Sequence, residues 1–195
     1  MKRTISYDID QILELAAAEY PYKGLEILWN TLEPHTDAGR PTSKILDEEW
    51  TVFTLLNFGV YMGNGFGDRM GFNYTNGIEE FFSAMQAAEK LGLVQTSALF
   101  SEVNDVLVKM GITRSLCEEV GVFCLSDFDD IVDASDLLED EGEGSEQDLY
   151  TVFERLSAPF NFDSRWWNLE HSEVQPALIE HLDRNKDKLR FRKNG

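Results

Sequence analysis

The sequence predicts an all-α fold in which several helices pack into one compact domain over residues 1–195. Apolar side chains recur every three or four residues along most of the chain, and no stretch alternates convincingly with a period of two. Hydrophobic residues make up 43% of the chain, which is enough to form a buried core. Within this domain we expect residues 1–44 to form N-terminal helices and a loop, and residues 45–192 to form the main core.

Prolines and glycines mark the predicted helix ends. Proline lacks an amide hydrogen and glycine tolerates the left-handed backbone that ends many helices. Six predicted helices end at such a residue, at Pro21, Pro34, Gly63, Gly92, Gly111 and Pro159. Residues 33–43 hold two prolines and a glycine and are predicted to form a loop. Another helix is predicted to begin with a capping box of Asn76 and Glu79, and the last helix to span about residues 172–185.

The glycine-rich run at residues 63–68, Gly-Asn-Gly-Phe-Gly-Asp, is predicted to form a tight, bent connection. Three glycines in five residues disfavour a helix, and Phe66 is expected to anchor the connection in the core. The run lacks the Lys and the Ser or Thr of a phosphate-binding loop. In one alternative, Asp68 and Arg69 act as the acid and the anchor of a small hydrolase or metal-dependent enzyme centred on residues 64–68.

The chain is strongly acidic. Its 36 Asp and Glu residues exceed its 17 Lys and Arg residues, which gives a formal net charge of −19. Small soluble domains usually carry a net charge of about 2–8 in magnitude. So large an excess disfavours direct binding to nucleic acids and to anionic membranes, because like charges repel. It permits a basic protein partner, a bound cation or simple solubility.

The N-terminus and the cysteines indicate a cytoplasmic protein. No signal-peptide run follows Met1, and no apolar stretch reaches the about 18 residues of a membrane span. Cys117 and Cys124 are expected to be small core residues in a reducing cytoplasm, because two cysteines alone do not complete a structural zinc site. We expect a monomer or a homodimer.

Acidic residues are concentrated between residues 115 and 154. This segment has 14 acidic residues among 40 and no Lys, Arg or His. A helix predicted over about residues 128–141 places four aspartates on one narrow stripe. These four are Asp129, Asp133, Asp136 and Asp140. The opposite face, which is expected to pack on the core, carries Phe128, Ile131, Val132, Ser135 and Leu138.

This stripe predicts a surface that imitates DNA. Its neighbouring carboxylates would lie about 5–6 Å apart at Cβ, which is comparable with the spacing of phosphates on a DNA strand. Like charges four residues apart destabilise a helix, and a local rule broken without compensation often marks function. The predicted contacts with a basic DNA-binding protein are Asp129, Asp130, Asp133, Asp136, Glu139, Asp140, Glu141, Glu143 and Glu146.

Other interpretations of the acidic segment stay open. It can be a solvated face with a mobile loop at residues 142–144, and residues 139–146 are expected to be the most mobile internal region. Calcium is disfavoured because the ligand spacing of a calcium-binding hand is absent. An immunity protein that blocks a basic nuclease toxin would need the same surface as a DNA mimic. The sequence does not separate these two inhibitors.

No other residues form a catalytic or metal-binding pattern. His35, His171 and His181 are scattered, and no metalloprotease or serine hydrolase motif occurs. We therefore expect no enzymatic activity, no cofactor and no metal site. The basic residues at the C-terminus are expected to complement the last helix dipole and to pair with the acidic surface, with a nucleic-acid arm as the alternative. They are Arg184, Lys186, Lys188, Arg190, Arg192 and Lys193.

Two segments carry a recognisable signature. The first comprises residues 55–68 and 72–75, and the second comprises residues 162–167, residues 178–182 and Phe191. Together they resemble a helical bacterial domain of unknown function whose members include a neisserial DNA-mimic protein. The residues that carry this structural motif are Asn64, Gly65, Phe66, Gly67, Asn73, Asp163, Trp166 and Trp167. The adjacent tryptophans are expected to pack in the core or at an interface.

The resemblance covers about residues 45–192 and implies an all-helical fold, no known catalysis and inhibition by protein–protein contact. The DNA mimic in this family binds a repressor-type transcription factor through its acidic surface and keeps it off its operator. Most members have no known function, and the acidic segment is not part of the signature. This chain has Gly65-Phe66-Gly67 where the family has Gly-Gly-Phe.

Calcium or zinc at stoichiometric concentration is expected to leave the melting temperature unchanged, because no set of residues has the ligand spacing of either ion. Differential scanning fluorimetry with each ion and with a chelator measures this. A saturable rise of several degrees would instead favour the metal-dependent enzyme.

Overall fold

The computed structural model describes residues 5–18, 21–37, 40–71, 76–121, 123–128, 131–132, 148–190 and 192. This part of the chain forms ten α-helices and one ladder of two short strands, which confirms the predicted all-α fold. In chain order the elements are α1 (Ile9–Ala17), α2 (Pro21–Leu32), β1 (Thr36–Asp37), β2 (Arg40–Pro41), α3 (Asp47–Val60), α4 (Phe66–Gly71), α5 (Gly77–Leu91), α6 (Val94–Lys109), α7 (Arg114–Val120), α8 (Leu149–Ser157), α9 (Phe162–Leu169) and α10 (Gln175–Leu189).

Helix α3 lies at the centre of the core. Nine of its 14 residues are buried, as expected for a helix that other helices surround. It packs against α2, α5 and α10. Its Phe58 is fully buried and meets aromatic rings of four further helices at centroid distances of 4.9–6.5 Å. These rings are Phe66 of α4, Phe81 of α5, Phe100 of α6, and Phe162 and Trp166 of α9.

Helices α1 and α2 pack closely together and extend the same core. A Cβ atom at Gly24 would lie 2.3 Å from the carbonyl oxygen of Ile12, so only glycine permits this approach of the two backbones. Ile12 and Leu28 are buried, and α1 also packs against α10. The N-terminal helices therefore share one hydrophobic core with the C-terminal helix.

The last helix is longer than the predicted residues 172–185. Helices α9 and α10 are joined by a π-helical turn, Glu170–Val174, so helical structure continues from Phe162 to Leu189. Pro176 gives a physical reason for the wider turn, because it has no amide hydrogen and its ring would clash with the carbonyl four residues earlier. The predicted inward residues are confirmed as buried, and they are Val174, Leu178 and Leu182.

Two local predictions in the glycine-rich and capping regions need correction. The Asn76 side chain makes no capping hydrogen bond at the start of α5, and Glu79 instead faces Arg40. Part of the glycine-rich run is helical, because α4 begins directly after Gly65, whose φ of +94° favours glycine. The anchoring role of Phe66 is confirmed, since this side chain is only 4% exposed.

Other predicted boundaries are confirmed. Gly92 ends α5 in the left-handed conformation with φ of +71°, and Gly111 lies just beyond α6. Cys117 and Cys124 are free thiols and both are buried. The single strand ladder pairs two residues with two residues, so it adds nothing to the core.

A buried ion pair joins the start of α3 to the end of the chain. Arg192 donates from Nε and Nη2 to the two carboxylate oxygens of Glu49, at 2.7 and 2.6 Å. The Tyr7 hydroxyl and the Leu46 amide donate to the same carboxylate at 2.7 and 2.8 Å. Glu49 is fully buried, and these four hydrogen bonds replace the water that it loses.

Glu170 lies in the π turn, where Gly59 makes room for its carboxyl group. A Cβ atom at Gly59 would lie 2.9 Å from Oε1 of Glu170 and 3.5 Å from the Trp166 ring. Burial raises the pKa of Glu170, and His171 and Gln175 only partly offset this shift. Relative to the unfolded chain, folding therefore favours the protonated form of this carboxyl group.

Arg192→Ala is expected to lower the free energy of unfolding by about 3–5 kcal/mol, because Glu49 stays buried without its partner. Arg184→Ala breaks the exposed ion pair with Glu180 and is the matched control, with an expected change of about 0–1 kcal/mol. Urea unfolding followed by circular dichroism measures both variants. Equal losses of unfolding free energy in the two variants would show that the buried pair does not stabilise the packing of the C-terminal end on the core.

Glu170→Gln is expected to stabilise the protein more at neutral pH than in acid. A raised carboxyl pKa gives stability that is present below the unfolded value and lost as the pH rises through the folded value. The advantage of the Gln variant should therefore grow from about pH 4 to about pH 7 in urea unfolding. The exposed Glu89→Gln is the control. A stability difference between Glu170→Gln and the parent protein that does not change with pH would contradict the raised pKa.

Candidate functional site

The predicted acidic stripe lies outside the described residues. All nine carboxylates predicted to contact a partner, from Asp129 to Glu146, fall there. Of the helix predicted over about residues 128–141, the structure describes only residues 128, 131 and 132, and none of these three lies in a helix. The rest of that helix stays a prediction. Phe128, Ile131 and Val132 form a turn, in which the amides of Ile131 and Val132 donate to the Phe128 carbonyl.

The predicted inward face of this segment is only partly correct. Phe128 is fully buried and Val132 packs against the core. Ile131 is 43% exposed, although the helical pattern placed it inward. Ser135 and Leu138, the other two residues of the predicted inward face, lie outside the described residues.

Many of the described cations are neutralised within the molecule. Nine basic side chains form ion pairs with carboxylates, and five of these belong to the C-terminal group. The predicted pairing with surface carboxylates is confirmed for four of the five, whereas Arg192 pairs with the buried Glu49. Arg190, for example, bonds both Asp10 and Asp187. Lys193 lies outside the described residues. The nine are Arg40, Lys90, Arg114, Arg165, Arg184, Lys186, Lys188, Arg190 and Arg192.

The two signature segments meet in the core and stabilise it. The Phe66 amide donates to Oδ1 of Asp163 at 2.9 Å, so a side chain 97 residues away caps the start of α4. The Phe66 and Phe162 rings stack with centroids 3.9 Å apart. A Cβ atom at Gly67 would lie 2.8 Å from Oε1 of Glu154, so α8 packs closely on this glycine.

The two tryptophans of the signature have different environments. Trp166 is buried in the aromatic core, whereas Trp167 is 64% exposed and lies 4.8 Å from the His171 ring. Asn73 and the side chains of Asn64 and Asp68 lie outside the part of the chain that the structure describes. The enzyme alternative centred on residues 64–68 therefore stays a prediction.

A cleft of about 610 Å³ opens where α3, α5, α7 and β2 meet. Pockets of about 300–1,000 Å³ commonly hold small ligands, and most of these are lined by apolar side chains. Here charged and polar side chains predominate, which suits a charged ligand. They include Arg40 of β2, Trp50 of α3, Glu79 and Gln86 of α5, and Arg114 and Glu118 of α7.

Glu79 supplies a buried charge to this cleft. Its side chain is only 6% exposed, and its Oε2 has no hydrogen-bond partner among the described residues. Its Oε1 lies 3.7 Å from Nε of Arg40. A buried acceptor left without a donor costs about 1–3 kcal/mol, and more when it is charged. Such a group calls for an explanation, for which a bound ion, water or ligand is the usual one.

The groups around Glu79 are held in place. The Arg40 guanidinium lies 5.4 Å from the centre of the Phe123 ring, and Nε of Arg114 donates to Glu118 at 3.0 Å. Burial raises the pKa of the Cys117 thiol to about 11, and the carboxylates of Glu79 and Glu118 add to the shift. This shift favours the protonated thiol at neutral pH.

Sequence reasoning missed this cleft because it assigned Glu79 to a helix cap. The available signal was the spacing of Glu79, Ser83 and Gln86, which places three polar residues on one face of α5. The remaining lining residues come from three elements far apart in the chain. Only tertiary packing brings them together.

Within the described residues, no three His, Cys, Asp or Glu side chains are grouped so that they could hold a metal ion. No helix of that part of the chain has the length and apolar character needed to cross a membrane. Comparison with known proteins finds no matching family model, no matching curated protein and no matching solved structure. The resemblance to the bacterial domain of unknown function therefore stays a prediction, and a function has to be argued from this chain alone.

Proposed function

We propose that this protein binds the DNA-binding surface of a basic protein, such as a transcription factor, and acts as a DNA mimic in the bacterial cytoplasm. The observation that carries the proposal is the distribution of charge. The chain has a net charge of −19, and nine of its cations are already committed to internal ion pairs. The surplus carboxylates therefore set the sign of the field around the molecule.

This surplus is densest at residues 129–147. The stretch contains nine carboxylates and no basic residue. It is bounded by Phe128, which is fully buried, and by Asp148, which precedes the buried Leu149 at the start of α8. The Asp148 side chain accepts from the Thr151 amide at 2.7 Å and caps that helix. Both ends of the acidic stretch are thus attached to the core.

A DNA-binding protein is the partner class that such a charge density favours. Duplex DNA carries one negative charge per about 1.7 Å of its axis, and its binding proteins present Lys and Arg to match. An acidic protein attracts the same surface and repels DNA itself. Association should be fast at low salt and weaken as salt rises, because exposed charges are screened beyond about 8 Å at physiological ionic strength.

Retention of proteins from a native cell extract on the immobilised protein tests this proposal. We expect a retained basic protein to be released by duplex DNA, because DNA and the acidic stretch compete for one surface. Changing Asp129, Asp133, Asp136 and Asp140 to asparagine should reduce retention at least about tenfold. Helicity by circular dichroism should not fall, and stability should rise slightly because repulsion is relieved.

The matched control separates the acidic stretch from net charge. Changing Glu14, Glu26, Glu89 and Glu119 to glutamine removes the same number of charges from exposed helical positions. This control should retain the partner almost as the parent does. Equal losses in the two variants, or no loss with the four asparagines, would rule out mimicry by residues 129–147. A retained protein that cleaves nucleic acid would favour the immunity function over repressor binding.

A further inference from the structure

The cleft between α3, α5, α7 and β2 lies outside the acidic stretch, and the proposed function does not use it. Its walls carry two guanidinium groups, Arg40 and Arg114, and two carboxylates, Glu79 and Glu118. A simple anion would be repelled by the carboxylates and by the net charge of −19. A simple cation has no negatively charged group that could contact the two arginines.

We infer that this cleft binds a small ligand that joins a cationic N–H group to a carboxylate, the chemistry of a basic amino acid.

Glu79 provides the position for the cationic group. Its side chain is more than nine-tenths buried, and its Oε2 accepts no hydrogen bond from the described residues. Arg40 does not fill this role, because its Nε lies 3.7 Å from Oε1, beyond hydrogen-bond distance. A ligand ammonium or guanidinium would give this carboxylate the charge-assisted hydrogen bond that the protein does not supply.

Arg114 provides the position for the ligand carboxylate. Among the described residues its guanidinium donates to Glu118 through Nε at 3.0 Å. That bond holds the group in place and leaves its two terminal nitrogens to form a fork. Such a fork binds a carboxylate through two parallel hydrogen bonds, which is geometry that a lysine cannot offer.

Trp50 provides an apolar wall of the cleft. Its indole stacks on Phe53 with ring centroids 5.5 Å apart, so the ring is held by the core. The aliphatic part of a basic amino acid can pack on such a ring. A ligand with one net positive charge is also drawn by the negative field of the chain.

Isothermal titration calorimetry with three related probes tests this inference. L-Arginine carries both charged groups, agmatine lacks the carboxylate, and L-citrulline has a neutral urea in place of the guanidinium. We expect saturable binding of L-arginine with a dissociation constant below about 10 mM. Agmatine and L-citrulline should each bind at least about tenfold more weakly, because each lacks one of the two charged groups that contact the cleft walls.

Two substitutions test which side chain of the cleft contacts which charged group of the ligand. Glu79→Gln should weaken L-arginine and agmatine alike, at least about tenfold, whereas Arg114→Gln should weaken L-arginine and leave agmatine within about twofold. Glu89→Gln, on the exposed side of α5, is the charge-matched control and should change nothing. Circular dichroism and the melting temperature show that each variant is folded.

Any of three outcomes would contradict the inference. They are the absence of saturable L-arginine binding, equal binding of agmatine and L-arginine, or Glu79→Gln binding as tightly as the Glu89→Gln control. None of these outcomes bears on the acidic stretch, because the substitutions lie outside residues 129–147. The retention experiment on the four-asparagine variant stays independent for the same reason.

Discussion

Burial of Phe58 among the rings of α4, α5, α6 and α9 is the interaction on which the rest of the structure depends. Each aromatic pair adds about 0.5–1.5 kcal/mol beyond the area that it buries. Because the rings come from separate helices, their packing sets how each helix is rotated about its own axis. Phe81 of α5 faces this centre, which places Glu79 and Gln86 on the other side of the helix. The lining of the mixed-charge cleft is thus a consequence of the core.

The same aromatic packing explains why the signature residues have a structural role. Phe66 stacks on Phe162, and the Asp163 carboxylate next to that ring caps the helix that Phe66 begins. Gly67 lies against the Glu154 carboxylate and the Tyr150 hydroxyl of α8, so a side chain at this position would displace both groups. A pattern of glycines, aromatics and one aspartate therefore marks a packing junction between distant parts of the chain. Similarity in such residues would support a shared fold before it supports a shared function.

Much of the helical architecture could be predicted from the sequence, because helical periodicity and helix-ending residues act locally. Gly92 and Phe66 behave as predicted, since a left-handed cap and a buried ring leave clear local signals. The predictions that failed concern features that depend on tertiary contacts. Glu79 leaves its expected cap to face Arg40, and Pro176 is accommodated in a continuous helix by a π turn. No local signal brings Arg40, Glu79 and Arg114 into one cleft, so the candidate site was not predictable.

Charge pairing connects the two proposed activities and keeps them distinct. Exposed ion pairs contribute only about 0–1 kcal/mol each to stability. Apart from the buried Arg192–Glu49 pair and the pair between Arg40 and the buried Glu79, the ion pairs of the described residues are therefore minor contributors to folding. Each pair combines one positive and one negative charge, so the net charge stays at −19, and the long-range attraction that this charge produces serves any positively charged partner. Long-range attraction does not discriminate between partners of like charge. Discrimination needs a buried group whose hydrogen bonds are not made with the wrong ligand. In the mixed-charge cleft, the Glu79 carboxylate is such a group among the described residues.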